Sequence, residues 1–280
     1  MPEGDVVWRT AHRLHDAFAG QRLTVCDLRW PGRSTIDLTG RTVLEVVPRG
    51  KHLLMRLDGD PRLTLHSHLR MDGSWRLQPA DRPLPPVGPR DDVRAVLGTP
   101  AWTAVGRLLG MLDVVRTQDE GTLVGHLGPD VLGPDWDPAT VEITLSRQPS
   151  RAIGEALLDQ QVLAGVGTFY MAEALYLRGV SPWTPAGEVR DVPALLGLLH
   201  RLLLANRDRV GQVTTGDTRP GRTSYVHGRA RRACRRCGTP IQVAPIGSSP
   251  HERVAFFCPT CQPGPAPPRT AGGGRRSTRR

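Results

Sequence analysis

The chain has 280 residues, 39% of them hydrophobic, so it is long enough for two or more compact units with real apolar cores. No stretch approaches the run of about 18 apolar residues that a membrane span needs. The acidic, polar start Met1-Pro2-Glu3 is unlike a signal peptide, which is basic and then apolar. These features predict a soluble, intracellular protein.

The net charge of +10 is unevenly distributed. Residues 219–262 contain eight arginines and one acid, and residues 263–280 add five arginines and no acid, so residues 1–218 are nearly neutral. A basic final third of this kind predicts a docking surface for a polyanion, most simply nucleic acid. For residues 263–280 alone, compositional bias and solubility are the better interpretation.

Lysine occurs once, at Lys51, among 37 basic residues. Arginine stays protonated far above neutral pH, whereas a lysine with a lowered pKa can give and take a proton. We therefore interpret the single lysine as a proton-transfer group, with chance as the alternative.

The first residues combine an unusual amine with a carboxylate. Methionine is normally trimmed before a small residue, so we expect Pro2 to carry the α-amino group, which titrates near neutrality. An unprotonated amine forms a Schiff base with a carbonyl carbon, and Glu3 beside it could shuttle protons. The alternative is an ordinary frayed terminus. Apolar residues spaced by three and four predict a helix over residues 5–18 that Gly20 ends.

The next segment predicts strands. Short runs rich in β-formers cover residues 23–30, 42–47, 52–57, 63–68, 74–77, 93–97, 102–105 and 112–115. Asp58-Gly59 is a hairpin signal, and residues 79–90, with five prolines, are predicted to form a loop. Many short strands with turns between them predict a β-sandwich or barrel. Met71 lies on a turn that ends at Gly73, where a methionine is either core filler or an exposed wedge.

The chain becomes helical after Gly128-Pro129-Asp130. Helices are predicted over residues 140–145, 150–159 and 191–206, and another begins after Gly167. Gly165 and Gly167 interrupt an apolar run, which predicts close backbone approach and, at the following helix, free amides able to hold a phosphate. Without further context this segment is a structural helical hairpin.

Two C-x2-C pairs lie near the end of the chain. Their spacing predicts a closed, structural zinc site, and disulfides are the poorer alternative in an intracellular chain. The four predicted ligands are Cys234, Cys237, Cys258 and Cys261. The apolar hairpin between the pairs is too small to fold without the metal. Cys26 is left over and is predicted to be a small buried hydrophobe.

The order of these motifs resembles the formamidopyrimidine-DNA glycosylase and endonuclease VIII family. The motifs are Met1-Pro2-Glu3-Gly4, Arg49-Gly50-Lys51, the turn 68–73, Gly128-Pro129-Asp130, the run 163–173 and the two cysteine pairs ending in Cys261-Gln262. The resemblance covers residues 1–262 and looks closest to actinobacterial endonuclease VIII relatives. It implies a multidomain α+β protein. Residues 1–120 would form a two-layer β-sandwich with a flanking helix, and residues 121–218 a helix-two-turn-helix domain. Residues 219–262 would form a zinc-finger hairpin, and residues 263–280 a disordered basic tail.

The resemblance also implies roles. Pro2 would attack the C1′ carbon of a damaged nucleotide, Glu3 would act as the acid–base group that opens the sugar, and Lys51 would assist proton transfer. Arg253 would hold phosphates beside the lesion and support δ-elimination. The implied activity is that of a bifunctional DNA glycosylase and abasic-site lyase of base excision repair.

Further residues would contact the DNA, because the damaged base must leave the stack to be reached. Arg70 and Met71 resemble the plug that fills the vacated space. Thr168 stands where the family usually has asparagine, and His126 stands where endonuclease VIII members carry arginine. Both differences weaken the expected phosphate contacts.

The implied partner is double-stranded DNA with oxidised bases or abasic sites, bound by a cytoplasmic, nucleoid-associated monomer with one structural Zn²⁺. The start of the chain favours oxidised pyrimidines, as in the endonuclease VIII branch, whereas the turn at Met71 resembles the oxidised-purine branch. The alternatives are a zinc-ribbon DNA-binding protein without activity and a damage-binding protein that has lost its chemistry. The Thr168 difference keeps the latter open.

Overall fold

The protein is described from a computed structural model that covers residues 2–84, 92–248 and 252–267. The helices are α1 (Gly4–Phe18), α2 (Gly121–Val124), α3 (Pro138–Ser146), α4 (Ile153–Leu158), α5 (Thr168–Arg178) and α6 (Val192–Asn206). The strands are β1 (Val25–Leu28), β2 (Val43–Arg49), β3 (His52–Leu57), β4 (Leu63–His68), β5 (Ser74–Pro79), β6 (Val93–Gly98), β7 (Trp102–Arg107), β8 (Met111–Arg116), β9 (Gln242–Ile246) and β10 (Arg253–Phe257). Single 3₁₀ turns cover Thr117–Asp119 and Ala186–Glu188.

Two four-stranded antiparallel sheets form the two layers of a β-sandwich, with strand orders β1-β6-β7-β5 and β2-β3-β4-β8. Alternating apolar residues of both sheets face inwards and form one buried cluster. Helix α1 adds its apolar stripe, Val7, Ala11, Leu14 and Phe18, to this cluster. The predicted sandwich with a flanking helix is therefore confirmed, and α1 is fixed along its whole length.

A second core joins the helices to the C-terminal hairpin. Buried side chains of α3, α4, α5 and α6 pack together, and Ile246, Ala255 and Phe257 of the β9–β10 hairpin complete the cluster. Helices α3 and α6 begin at aspartate caps, Asp137 and Asp191, whose carboxylates accept backbone N–H groups of the first turn. This core places α5 between the sandwich and the hairpin.

The boundaries differ from the sequence predictions at a few places. Helix α4 begins at Ile153 rather than at residue 150, because the backbone of residues 151–152 pairs with residues 185–186. Pro79 closes β5 opposite Trp102, and the later part of the predicted proline-rich loop, residues 85–91, is outside the described residues. Cys26 is only half-buried, since its strand β1 lies at a sheet edge. None of the helices in the described ranges has the length and apolar character of a transmembrane segment.

Candidate active site

Glu3 is a buried carboxylate at the junction of the sandwich and the helical domain. It directly precedes α1 and is fully buried. Its carboxylate accepts backbone N–H groups from Gly167 at 2.8 Å, Phe169 at 2.7 Å and Tyr170 at 3.4 Å. These amides form the N-terminus of α5, the end of a helix that favours negative charge. A Cβ atom on Gly167 would lie 2.5 Å from the carboxyl carbon of Glu3, so glycine is required there.

The neighbouring backbone fixes Pro2. Gly4 donates its N–H to the carbonyl of Gly165 at 2.8 Å, and a Cβ on Gly4 would lie 3.1 Å from the Gly165 Cα. Gly165 itself has φ +100°, which a side chain would strain. The glycines of the apolar run therefore let the start of α1 lie directly against the turn before α5. Pro2, half-buried, precedes this contact.

Lys51 lies in the turn between β2 and β3, on the sandwich side of the same junction. The preceding Gly50 has φ +57° and donates its N–H to the Asp130 carboxylate at 2.7 Å. Arg49 forms an ion pair with Asp135 at 2.6 Å. The Gly128-Pro129-Asp130 motif thus holds the turn that presents the lysine. The sequence revealed the motif but not this function, because the bonded residues are far apart in the chain.

Glu3 and Lys51 perturb each other. Burial raises the pKa of Glu3, and the positive charge of Lys51 and the α5 amides only partly oppose that rise. Burial likewise lowers the pKa of Lys51, with Glu3 opposing and the Arg253 guanidinium adding to the decrease. Opposite shifts bring an acid and a base closer to neutrality, which is the condition for proton transfer near pH 7.

Asp5 is a second buried carboxylate that the sequence analysis missed. Its Oδ2 accepts the Tyr170 hydroxyl at 2.9 Å, and its Oδ1 accepts the Gln212 side-chain amide at 3.0 Å. Burial raises the pKa of Asp5, and these two hydrogen bonds oppose the rise. The apolar spacing of α1 gave no signal, because Asp5 is buried against residues more than 160 positions away.

Three histidines line the wall beside Lys51. The Nδ1 atom of His52 and the Nε2 atom of His66 lie 2.8 Å apart in a hydrogen bond, and the His68 ring packs edge-on against His52 at 4.8 Å. Burial and the other histidines lower the pKa of His52 to about 3, and burial and Lys51 lower the pKa of His68 to about 4. These rings are neutral near pH 7, so they add no positive charge against Lys51.

The predicted plug residues lie on an exposed turn after β4. Met71 is 58% exposed, and Arg70 is exposed with a left-handed backbone, φ 53°. His68 stabilises this conformation by accepting the Arg70 N–H on its Nδ1 at 2.9 Å. The turn therefore presents both side chains outwards. His126 is also exposed, with its ring 6.5 Å from that of His52.

Thr168 and Arg253 lie in different surroundings. Thr168 is buried as the first residue of α5, and the amides on either side of it donate to Glu3. The amides that were expected to hold a phosphate are therefore partly taken by Glu3. Arg253 is the exposed first residue of β10, near enough to lower the pKa of Lys51.

Glu173 of α5 organises the segment that follows α6. Its buried carboxylate accepts the backbone N–H groups of Tyr225, Val226 and His227, each at 2.8 Å, and the Thr214 hydroxyl. One side chain thereby shapes residues 214–227. The sequence contained this glutamate within a motif, but its partners could not be inferred.

The four cysteines of the two C-x2-C pairs meet at one point. Their sulfur atoms all lie within 4.8 Å of one another, with Cys234 and Cys261 at 3.8 Å and Cys237 and Cys258 at 3.5 Å. Backbone N–H groups point at two of the sulfurs, which suits thiolates. The cluster fits a tetrahedral metal ion.

The chain combines a β-sandwich with a helical domain and a four-cysteine hairpin, and a buried glutamate and a lysine lie at the junction. These features define the class of helix-two-turn-helix glycosylases. The model of the formamidopyrimidine-DNA glycosylase N-terminal domain matches residues 1–106, and that of the formamidopyrimidine-DNA glycosylase H2TH domain matches residues 127–203. The chain belongs to the formamidopyrimidine-DNA glycosylase family.

Relatives within the family are similar over nearly the whole chain. "Probable endonuclease 8 2" of Streptomyces coelicolor is 54% identical over 95% of this chain and 96% of its own length. "DNA-(apurinic or apyrimidinic site) lyase Nei2" of Mycolicibacterium smegmatis is 43% identical over 94% and 99%. The fold is similar to that of Lactococcus lactis formamidopyrimidine-DNA glycosylase bound to DNA with an abasic site: TM-score 0.77, 23% identity, 94% of this chain and 100% of the other.

Proposed function

We propose that the protein is a bifunctional enzyme of base excision repair that removes oxidised bases from double-stranded DNA and cleaves the strand at the resulting abasic site. The observation that carries the proposal is the meeting of Glu3 and Lys51 directly beside Pro2. Glu3, a buried carboxyl group with a raised pKa, directly follows Pro2 in the chain, and its charge interacts with the single lysine, whose pKa is lowered. The relatives named endonuclease 8 and abasic-site lyase support the same activity.

The chemistry requires each of these groups. Once Met1 is removed, the Pro2 nitrogen bonds to C1′ of the damaged nucleotide and releases its proton to the acid–base group Glu3, and the bond from C1′ to the base breaks. Protonation of the sugar ring oxygen, the role we assign to Glu3, opens the ring and leaves an iminium. Lys51 delivers a proton to the departing base, and loss of a C2′ proton then expels the 3′ phosphate. A second elimination expels the 5′ phosphate and completes strand cleavage.

Other residues are assigned to binding. Arg253 holds the phosphates beside the lesion, Arg70 and Met71 fill the space of the extruded nucleotide, and His126 and Thr168 contact the backbone. The exposure of Arg70, Met71, His126 and Arg253 supports these roles, whereas Thr168, buried at the start of α5, lacks this support. We place the domain boundaries near residues 120, 218 and 262, consistent with the two family models.

We propose that the cysteine cluster holds one zinc ion. Four thiolates about 2.3 Å from Zn²⁺ in a tetrahedron lie about 3.8 Å from one another, close to the sulfur distances of 3.5 and 3.8 Å. The ion would cross-link the base of the β9–β10 hairpin, and Cys234, Cys237, Cys258 and Cys261 leave no open position for catalysis. The ion would stabilise the folded state of the segment that carries Arg253.

Oxidised pyrimidines are the proposed substrates. The relatives named endonuclease 8 2 are 45–54% identical to this chain, while those named formamidopyrimidine-DNA glycosylase are 32–34% identical. The comparison of single-turnover excision from duplexes with one oxidised pyrimidine or one oxidised purine decides between the two. Faster excision of the purine would assign the protein to the other branch.

Borohydride trapping tests the activity itself. Incubation with a duplex that contains an abasic site, followed by reduction, should give a covalent adduct that maps to Pro2. The Pro2→Ala variant is a weak control because a primary amine also forms Schiff bases, so the matched control is protein with its amine blocked by a retained extra N-terminal residue. Tight binding without an adduct would show a damage-binding protein instead of an enzyme.

A further inference from the structure

The turn that carries Arg70 and Met71 is held in a strained conformation. Arg70 has φ 53°, in the left-handed region that glycine enters freely and other residues enter only at a cost. Both side chains are exposed. An exposed residue keeps such a conformation only where neighbouring groups hold it. The groups that hold this turn therefore determine how the two side chains are presented.

Three contacts hold the turn. The Nδ1 atom of His68 accepts the backbone N–H of Arg70 at 2.9 Å. Leu69 is buried in the sandwich core, and its carbonyl accepts the N–H of Gly73 at 2.9 Å, which closes the turn. The stem of the Arg70 side chain lies on Gly110, at the end of the β7–β8 turn, where a Cβ atom would overlap the Arg70 Cγ. Both the backbone and the side chain of Arg70 are therefore supported.

The hydrogen bond to Arg70 determines which nitrogen of His68 carries the proton. An imidazole nitrogen that accepts a hydrogen bond has no hydrogen of its own, so the proton of the neutral ring is on Nε2. Burial and Lys51 lower the pKa of His68 to about 4, in agreement with a neutral ring near pH 7. The ring also packs edge-on against His52, which is hydrogen-bonded to His66 at 2.8 Å. The orientation of the His68 ring is thus fixed on two sides.

We propose that His68 is a positioning residue for the plug, Arg70 and Met71: its Nδ1 atom holds the Arg70 backbone so that both side chains are aimed in advance at the space of the extruded nucleotide. This inference rests on the proposed function, in which these side chains fill that space.

A preformed turn favours extrusion for an entropic reason. A mobile turn loses conformational freedom when its side chains enter the duplex, and this loss reduces the free energy gained from the contacts. A turn that already has the inserted conformation avoids that cost, so more of the contact free energy offsets the unstacking of the damaged base. In this role His68 acts through the Arg70 backbone, and its Nδ1 atom does not touch the DNA.

Two substitutions of His68 separate the roles of its ring nitrogens. The side-chain oxygen of asparagine takes the place of Nδ1 and can accept the Arg70 N–H, whereas glutamine places its amide near the position of Nε2 and leaves that N–H unpaired. The DNA is a duplex with an uncleavable abasic analogue beside 2-aminopurine, whose fluorescence rises when an inserted side chain unstacks it. With the DNA saturated by protein, we expect the native rise for His68→Asn and a clearly smaller one for His68→Gln.

Single-turnover excision of an oxidised pyrimidine, also at saturation, should follow the same order. We expect His68→Asn to remain within about threefold of the wild type and His68→Gln to be about five- to tenfold slower, the effect of one lost hydrogen bond. His68→Ala is a second variant without an acceptor. Thermal melting shows which of the two acceptor-free variants is folded, and either one suffices.

His12→Gln, at an exposed histidine of α1, is the matched control and should give the native fluorescence rise. A native rise without the acceptor would overturn the inference, as would a wild type that gives no rise. An equal loss in His68→Asn and His68→Gln would also overturn it, because Nδ1 would then not be the atom that matters. Failure of the wild type to form the borohydride adduct would instead overturn the proposed function, and the fluorescence signal requires no catalysis.

Discussion

At the scale of single residues, Lys51 allows the sharpest separation of charge from proton transfer. Lys51→Arg keeps the positive charge, but a guanidinium neither gives nor takes a proton near pH 7. We expect excision of a damaged base to slow by on the order of 10²- to 10⁴-fold. Cleavage at a pre-formed abasic site should suffer less, because Pro2 can still form the Schiff base. Single-turnover rates on the two substrates measure this difference.

Binding of Lys51→Arg to an uncleavable abasic analogue is the control and should change little. If the variant excised damaged bases at the native rate, Lys51 would have no proton-transfer role. Its place between the charges of Glu3 and Arg253 would then serve only phosphate binding.

A substitution at Gly167 tests whether activity needs the hydrogen bonds from the α5 amides to the Glu3 carboxylate. In Gly167→Ala the new methyl group would lie 2.5 Å from the Glu3 carboxyl carbon, so the carboxylate must leave the amides of α5. We expect a loss of on the order of 10²-fold in the rate of borohydride trapping, and a stability loss of about 1–3 kcal/mol from the overpacking.

Gly197→Ala in α6 is the matched control. Its Cβ would meet only the end of the Arg201 side chain at 3.4 Å, and alanine is the better helix former, so stability should rise slightly and trapping should be unchanged. Native trapping by Gly167→Ala would show that Glu3 functions without its amide contacts.

At the scale of elements, local sequence patterns predicted several helices and strands. They predicted almost none of the contacts between residues that are far apart in the chain. The spacing of Val7, Ala11 and Leu14 predicted α1 within one residue, and β3 and β4 were predicted at their observed limits, since their periodicity is local. The four cysteines were identified for the same reason. The hydrogen bonds from the α5 N–H groups to Glu3 join residues more than 160 positions apart. No periodic pattern in the sequence predicts such a contact.

The β9–β10 hairpin is the element that depends on the metal. It is a two-stranded sheet, and such a ribbon is marginal alone. We expect one zinc per chain by metal analysis, and removal by a strong chelator should abolish DNA binding, because Arg253 loses its position. Circular dichroism of the β-sandwich should change little. A metal-free preparation with full affinity for DNA would contradict the structural role of the ion.

At the scale of the whole molecule, the arginines after residue 218 dominate the electrostatics. DNA binding should weaken steeply with salt, with a log–log slope of about −0.9 for each neutralised phosphate. The structure also places the best truncation point. Ser181 donates to the carbonyl of Pro265 at 2.8 Å, which ties the segment after the hairpin to the helical domain, so deletion should begin after this contact, at residue 268.

The variant without residues 268–280 lacks the five arginines of the basic tail. We expect a shallower salt dependence of binding, by about 0.9 in slope for each phosphate that the tail would otherwise neutralise, and native cleavage of abasic DNA at low salt. Binding titrations between about 50 and 200 mM salt measure the slope. Loss of cleavage at low salt would show that the tail belongs to the folded enzyme.

The contacts of helix α5 determine how this helix unfolds. Within eleven residues, about 16 Å, it contacts Glu3 at its first turn, holds residues 225–227 through Glu173, and reaches Cys234 through the Tyr176 hydroxyl at 3.3 Å. A helix anchored at both ends and in the middle cannot fray from one end. Its amide protons should therefore exchange with solvent only when all three anchors release together, so that protection along α5 is uniform and close to that of global unfolding.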